Sequence, residues 1–119
     1  MQVGIDVGAT KIESVVLEDN GNETHRSRTA CPKDYFTIIN TIKDIYLKLE
    51  KEFKKELRIG VCHPGIHSPQ TGLVKNAPNC NWLEKKPFQA DLRKALGREV
   101  FCENDANCFA LSEAIDGSG

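Results

Sequence analysis

The stretch Asp6-Val7-Gly8-Ala9-Thr10-Lys11 lies between two runs rich in β-branched residues, Val3/Ile5/Val7 before it and Ile12/Ser14/Val15/Val16/Leu17 after it. Both flanks favour strands. A glycine turn that joins strand to strand restricts the fold more than any other feature of the chain. The Rossmann fingerprint and the Walker loop each require a strand, a turn and then a helix, so both are excluded. Asp19-Asn20-Gly21-Asn22 supplies a second tight turn. Glu23 to Ala30, polar and alternating, returns as a third, edge-like strand, so the chain opens as a three-stranded meander.

Alternation of helix and strand follows. Asp34 is placed to cap a helix in which Tyr35, Ile38, Ile39, Ile42, Ile45, Tyr46, Leu49 and Phe53 recur at helical spacing, and this helix is expected to reach Glu56. Leu57 to Cys62 reads as a buried strand ending at the turn His63-Pro64-Gly65. Pro69, Gly72 and Pro78 then prevent any long element. Pro87 starts a second helix with Phe88, Leu92, Ala95 and Leu96 inward, and Gly97 ends it. Glu99 to Cys102 is a further strand, Asn104 to Ala114 a further helix, and 116–119 a linker-like tail. The fold class is α/β, a meander followed by alternating strands and helices that form a mixed sheet flanked by helices.

A chain of 119 residues holds one core. With 39% hydrophobic and 28% charged residues, disorder and fibrous folds are poor fits. A net charge of -1 supplies no footprint for nucleic acid or an anionic membrane, so neither partner is expected. No apolar run approaches the roughly 18 residues of a membrane span, and Met1 leads into Val3 and Ile5 without a basic leader, so a cytoplasmic protein is expected. The five cysteines, Cys31, Cys62, Cys80, Cys102 and Cys108, are odd in number and irregularly spaced. They are read as reduced thiols, with no zinc ligands in this chain.

Two segments carry the residue types of phosphate and hydroxyl chemistry. In the first turn Gly8 lets backbone amides approach an anion, Thr10 adds a hydroxyl, Lys11 a positive charge, and Asp6 could hold a cation bound to the same phosphates. The same six residues would also make an ordinary hairpin with Lys11 in solvent. In the second, Asn104 and Asp105 fall where a buried strand meets a helix, at the carboxyl edge of the sheet, and a carboxylate there can take a proton from an alcohol. An Asx helix cap would want the same residue types. Between them, Asn76, Asn79 and Asn81 offer donors and acceptors to vicinal hydroxyls. Trp82 reads chiefly as a core or lobe anchor, His25 and His67 as surface residues, and His63 as lining the cleft.

These segments, in order and spacing, resemble the N-terminal lobe of the ROK-family sugar kinases: Asp6 to Lys11, Pro64-Gly65, Asn76-Ala77-Pro78 ahead of Trp82 and Pro87-Phe88, and Glu103-Asn104-Asp105-Ala106-Asn107-Cys108. The resemblance implies an actin-like, ribonuclease-H-like ATPase lobe over residues 1–119, with a C-terminal lobe absent from this chain. It implies ATP-dependent phosphorylation of a hexose hydroxyl with Mg2+. Gly4, Asp6, Gly8, Ala9, Thr10 and Lys11 would border the ATP phosphates, with Asp6 toward the magnesium. Gly65, Asn76, Asn104 and Asp105 would contact the sugar, and Asp105 would be the catalytic base. Ala9 stands where many relatives have a second glycine, and His63 where an aliphatic residue is common.

The missing lobe would supply the adenosine pocket and a structural zinc site, so the chain alone is expected to be inactive. Residues 72–77 with Trp82, Leu83, Pro87 and Phe88 look more like the family's fructose and mannose kinases than its glucose kinases, while Phe109 to Ala114 is equally like its N-acetylglucosamine kinases. The N-acetylglucosamine, N-acetylmannosamine and glucose kinases are the alternatives. A sugar-sensing regulator of the same family is disfavoured, because five residues before Asp6 leave no room for a DNA-binding domain. A homo-oligomer is expected, and the helix carrying Phe109, Leu111 and Ile115 is expected to mediate self-association of the isolated chain.

Overall fold

The computed structural model describes residues 1–75, 77 and 81–104. The expected meander is present as β1 (Gln2–Val7), β2 (Lys11–Leu17) and β3 (Glu23–Ala30), each antiparallel to its neighbour. Helix α1 (Tyr35–Phe53) carries the chain across to β4 (Arg58–His63), which lies parallel to β1 on its other side. A small hairpin follows, β5 (Ile66–His67) and β6 (Val74–Lys75), then α2 (Phe88–Leu96) and β7 (Phe101–Asn104), parallel to β4. The main sheet has five strands in the order β3-β2-β1-β4-β7, mixed in direction.

Strand alternation sorts the two faces. Val3, Ile5, Val7, Ile12, Val16, Ile59 and Val61 are buried beneath the helices, whereas Asp6 on the opposite face is exposed. The stripe predicted for α1 is the buried one: Tyr35, Ile38, Ile39, Ile42, Tyr46 and Leu49. Asp34 caps the helix, accepting from the Thr37 amide at 3.0 Å and the Thr37 hydroxyl at 2.8 Å. The helix ends at Phe53 and not at Glu56, because Lys54 takes a left-handed conformation, φ 56°, and its N–H turns back to the Glu50 carbonyl. Tyr35 and Phe88 pack at 6.3 Å, and the Tyr35 hydroxyl donates to Asp91 at 2.5 Å, so α1 and α2 lie on one face of the sheet.

Three expectations change. The last strand runs from Phe101 to Asn104, not from Glu99 to Cys102, since its pairing with β4 begins at Gly60↔Phe101 and ends at His63↔Asn104. Glu99 is held instead by an ion pair with Arg93 at 2.5 Å. Asn104 is accordingly the end of a strand and not the start of a helix; the rest of the expected 104–114 helix lies outside the described residues. The segment read as turns alone holds a short ladder, Ile66↔Lys75 and His67↔Val74. Finally, Cys31 and Cys102 are free thiols, but Cys62 is disulfide-bonded, so the reading of every cysteine as reduced fails there. Spacing along the chain does not report which sulfurs the fold brings together.

Candidate functional site

β1, β4 and β7 run parallel, so Val7, His63 and Asn104 all end at the same, carboxyl edge of the sheet. In open sheets of this kind that edge is where ligands bind. The glycine turn and the end of β7 are separated there by the single strand β4, about 10 Å at ordinary strand spacing.

The turn itself is built by two backbone hydrogen bonds. The Gly8 amide donates to the Lys11 carbonyl at 2.8 Å, and the Cys31 amide to the Thr10 carbonyl at 2.9 Å. Neither Gly8 nor Ala9 has a positive φ, so alanine fits at position 9 without strain. Gly8 is tight for a different reason: a Cβ there would stand 3.2 Å from the Lys11 carbonyl oxygen. Among the described residues the amides of Ala9 and Thr10 donate to no protein group, and Lys11 forms no ion pair. Thr10, Lys11 and Asp6 are exposed. Two available amides, a hydroxyl and an ammonium around one turn form a cradle suited to phosphate oxygens. The exposed carboxylate of Asp6 beside it suits magnesium, which keeps most of its waters and takes few protein ligands.

Gly4 is not brought to this turn. It sits inside β1, paired with Val15 and Gly60. Gly65 follows β4 with φ +79°, and a Cβ there would lie 2.6 Å from the Lys75 carbonyl oxygen and 3.1 Å from Ala77. The structure thus gives Gly65 a packing reason to be glycine, the close approach of the loop after β6. Asn104 ends β7 as the register partner of His63. Asn76 and Asp105 lie outside the described residues.

His63 is fully buried and does not line an open cleft. Its ring packs edge-on against Phe88 at 5.5 Å, and Nδ1 stands 2.8 Å from the Pro64 carbonyl oxygen, which fixes the proton on Nδ1. Burial holds its pKa below the usual imidazole range. Trp82 is partly buried and packs against the core, in line with its reading as an anchor. His25 is partly buried, with its ring edge-on to Phe53 at 6.5 Å. Burial also raises the Cys102 thiol to about 12, so it is inert as a nucleophile near neutrality.

Sequence reasoning missed the contacts that hold the end of the sheet together. Gln89 accepts from the Cys102 amide at 2.9 Å, and Arg93 Nε donates to the Val100 carbonyl at 3.1 Å. Both residues lie in the polar part of an amphipathic helix, and only the placement of β7 as an edge strand could have singled them out.

A three-stranded meander on one side of the sheet, parallel strands added beside β1 and a glycine turn at the carboxyl edge define a lobe of the actin-like ATPase class. The chain belongs to the ROK family, whose profile matches residues 2–119. It is 42% identical over 117 residues to the N-acetyl-D-glucosamine kinase of Haemophilus influenzae, a match that covers 98% of this chain and 38% of that protein. The ROK hexokinase of Thermus thermophilus superposes with a TM-score of 0.80 at 31% identity, over 94% of this chain and 37% of that one. A ROK glucokinase from Streptomyces griseus, solved with glucose and AMPPNP, gives 0.83 at 26% identity, over 98% and 36%. The chain therefore spans well under half the length of each of these three proteins.

Proposed function

We propose that residues 1–119 are the N-terminal lobe of a two-lobe kinase that transfers phosphate from ATP to a hydroxyl of an N-acetylated hexosamine. The observation that carries this reading is the meeting, at one sheet edge, of the phosphate-type turn after β1 and the end of β7, from which Asn104 leads into Asp105. Phosphoryl transfer asks chiefly for positioning and charge stabilisation, and a cradle for one substrate beside a carboxylate for the other meets that need. Ala9, Thr10 and Lys11 would hold the phosphates, and Asp6 would hold a magnesium ion bound to them, which supplies neutralisation of their charge. Asn104 and Asp105 hold the sugar, with Asp105 taking the proton of the attacking hydroxyl.

Likeness to the Haemophilus influenzae N-acetyl-D-glucosamine kinase favours the N-acetylated sugar over the fructose and mannose type that the segment around Trp82 suggests. Asp105→Asn in the two-lobe protein tests the mechanism. It should lower kcat by about 10² or more while sugar binding changes by less than about tenfold, the usual weight of a general base. Near-normal turnover removes Asp105 from the role. A panel of N-acetylglucosamine, N-acetylmannosamine, glucose, mannose and fructose tests the substrate, and a preference for fructose would refute the N-acetylated assignment.

A further inference from the structure

β7 is the outer strand of the five-stranded sheet, paired to β4 through four residues, Phe101 to Asn104. In a ladder, successive residues turn their backbone groups to opposite sides, so alternate residues of an edge strand face away from the sheet. One of those outward groups, and a carbonyl just before the strand, are met by side chains of α2. Arg93 Nε donates to the Val100 carbonyl at 3.1 Å, and the Cys102 amide donates to Gln89 Oε1 at 2.9 Å. Arg93 is itself held by Glu99 at 2.5 Å.

The spacings match. Gln89 and Arg93 are one turn apart, about 6 Å along a helix, and Val100 and Cys102 are two residues apart, about 6.6 Å along a strand. Helix α2 thus takes the place of a further strand at this edge. By the same alternation the next outward residue is Asn104, immediately before Asp105. β7 has only four pairings with one neighbour, and a slip of one residue would carry each side chain of the strand to the other face.

We propose that Gln89 is a positioning residue for the sugar site: by holding the Cys102 amide it sets the register of β7, the strand whose last residue, Asn104, immediately precedes Asp105 in the chain. This rests on the functional reading above in what the strand carries, though not in how the strand is held. Gln89→Leu removes the acceptor at similar volume, and Gln89→Glu keeps it. In the two-lobe protein, Gln89→Leu should raise the KM for sugar about tenfold and lower kcat while the KM for ATP stays unchanged, the scale on which small misplacements act. Gln89→Glu should restore the sugar KM, and hydrogen exchange of the Cys102 amide should speed up in the leucine variant alone. Where Gln89→Leu does not fold, Gln89→Met takes its place.

An unchanged sugar KM overturns the proposal, as does a loss of kcat with both KM values unchanged, which would mark a merely structural residue. If the unsubstituted protein phosphorylates no sugar, the functional reading fails by itself. Exchange at Cys102 then decides the strand-holding role, faster exchange in Gln89→Leu supporting it and unchanged exchange refuting it.

Discussion

Glycines 65 and 72 share a left-handed backbone, with φ +79° and +73°, but differ in what surrounds them. Among the described residues nothing lies within 4 Å of a Cβ built on Gly72, whereas one on Gly65 meets the Lys75 carbonyl at 2.6 Å. Gly72→Ala should cost about 1 kcal/mol for its backbone alone. Gly65→Ala should cost about 1–3 kcal/mol more, because backbone, not a pliant side chain, must move. Urea titrations of both variants read that difference directly, and equal losses would show that the backbone at Lys75 and Ala77 yields freely. His63 gives a second test at this scale. Its folded pKa lies below the ordinary value, so the neutral ring is the form the fold prefers. The stability this brings is complete above the unfolded pKa, near 6.5, and is lost as pH falls beneath it. The thermal midpoint should therefore drop as pH goes from about 7 to 5, before carboxylates titrate, and His63→Leu should flatten that drop.

Among the elements, α1 was the most legible in the sequence, because its apolar stripe and its cap agree. Its end was not legible, since Lys54 carries no sign that it would adopt the left-handed turn usually left to glycine. Asp34→Ala should cost about 1 kcal/mol by removing the acceptor for Thr37, with a matching fall in the unfolding midpoint. Tyr46→Phe should cost about 1–3 kcal/mol, since the Tyr46 hydroxyl donates to the buried Leu57 carbonyl at 2.7 Å and phenylalanine leaves that oxygen unmet. The same contact ties α1 to the residue just before β4, so hydrogen exchange in β4 should rise with it. β7 was legible as a strand but not in its bounds. Glu99 and Val100 have strand-like neighbours in sequence, but they serve the end of α2 through Arg93, a long-range pairing that no local pattern records.

At the scale of the whole chain, the two segments singled out from sequence, the turn at 8–11 and the end of β7, come to one edge because β1 and β7 both run parallel to β4. Residue types and order sufficed to find them; what they could not supply was the reason for Gly65, which lies in a loop packed against it, or the burial of His63. The described core closes on one face of the sheet through α1 and α2, with Phe88, Leu92 and Leu83 fully buried, so the isolated chain should fold cooperatively. The proposed nucleotide site is another matter. The turn offers amides, a hydroxyl and a lysine that are exposed to water, and contacts of that kind are screened by salt and offset by the hydration that phosphate must give up. Without a second wall to bury the base and ribose, ATP should bind the 119-residue chain at about millimolar or not at all, and more weakly as salt rises. Calorimetry at low and at physiological salt checks this. Micromolar binding that is indifferent to salt would mean that the lobe carries a complete nucleotide pocket and that the phosphate cradle is a minor part of it.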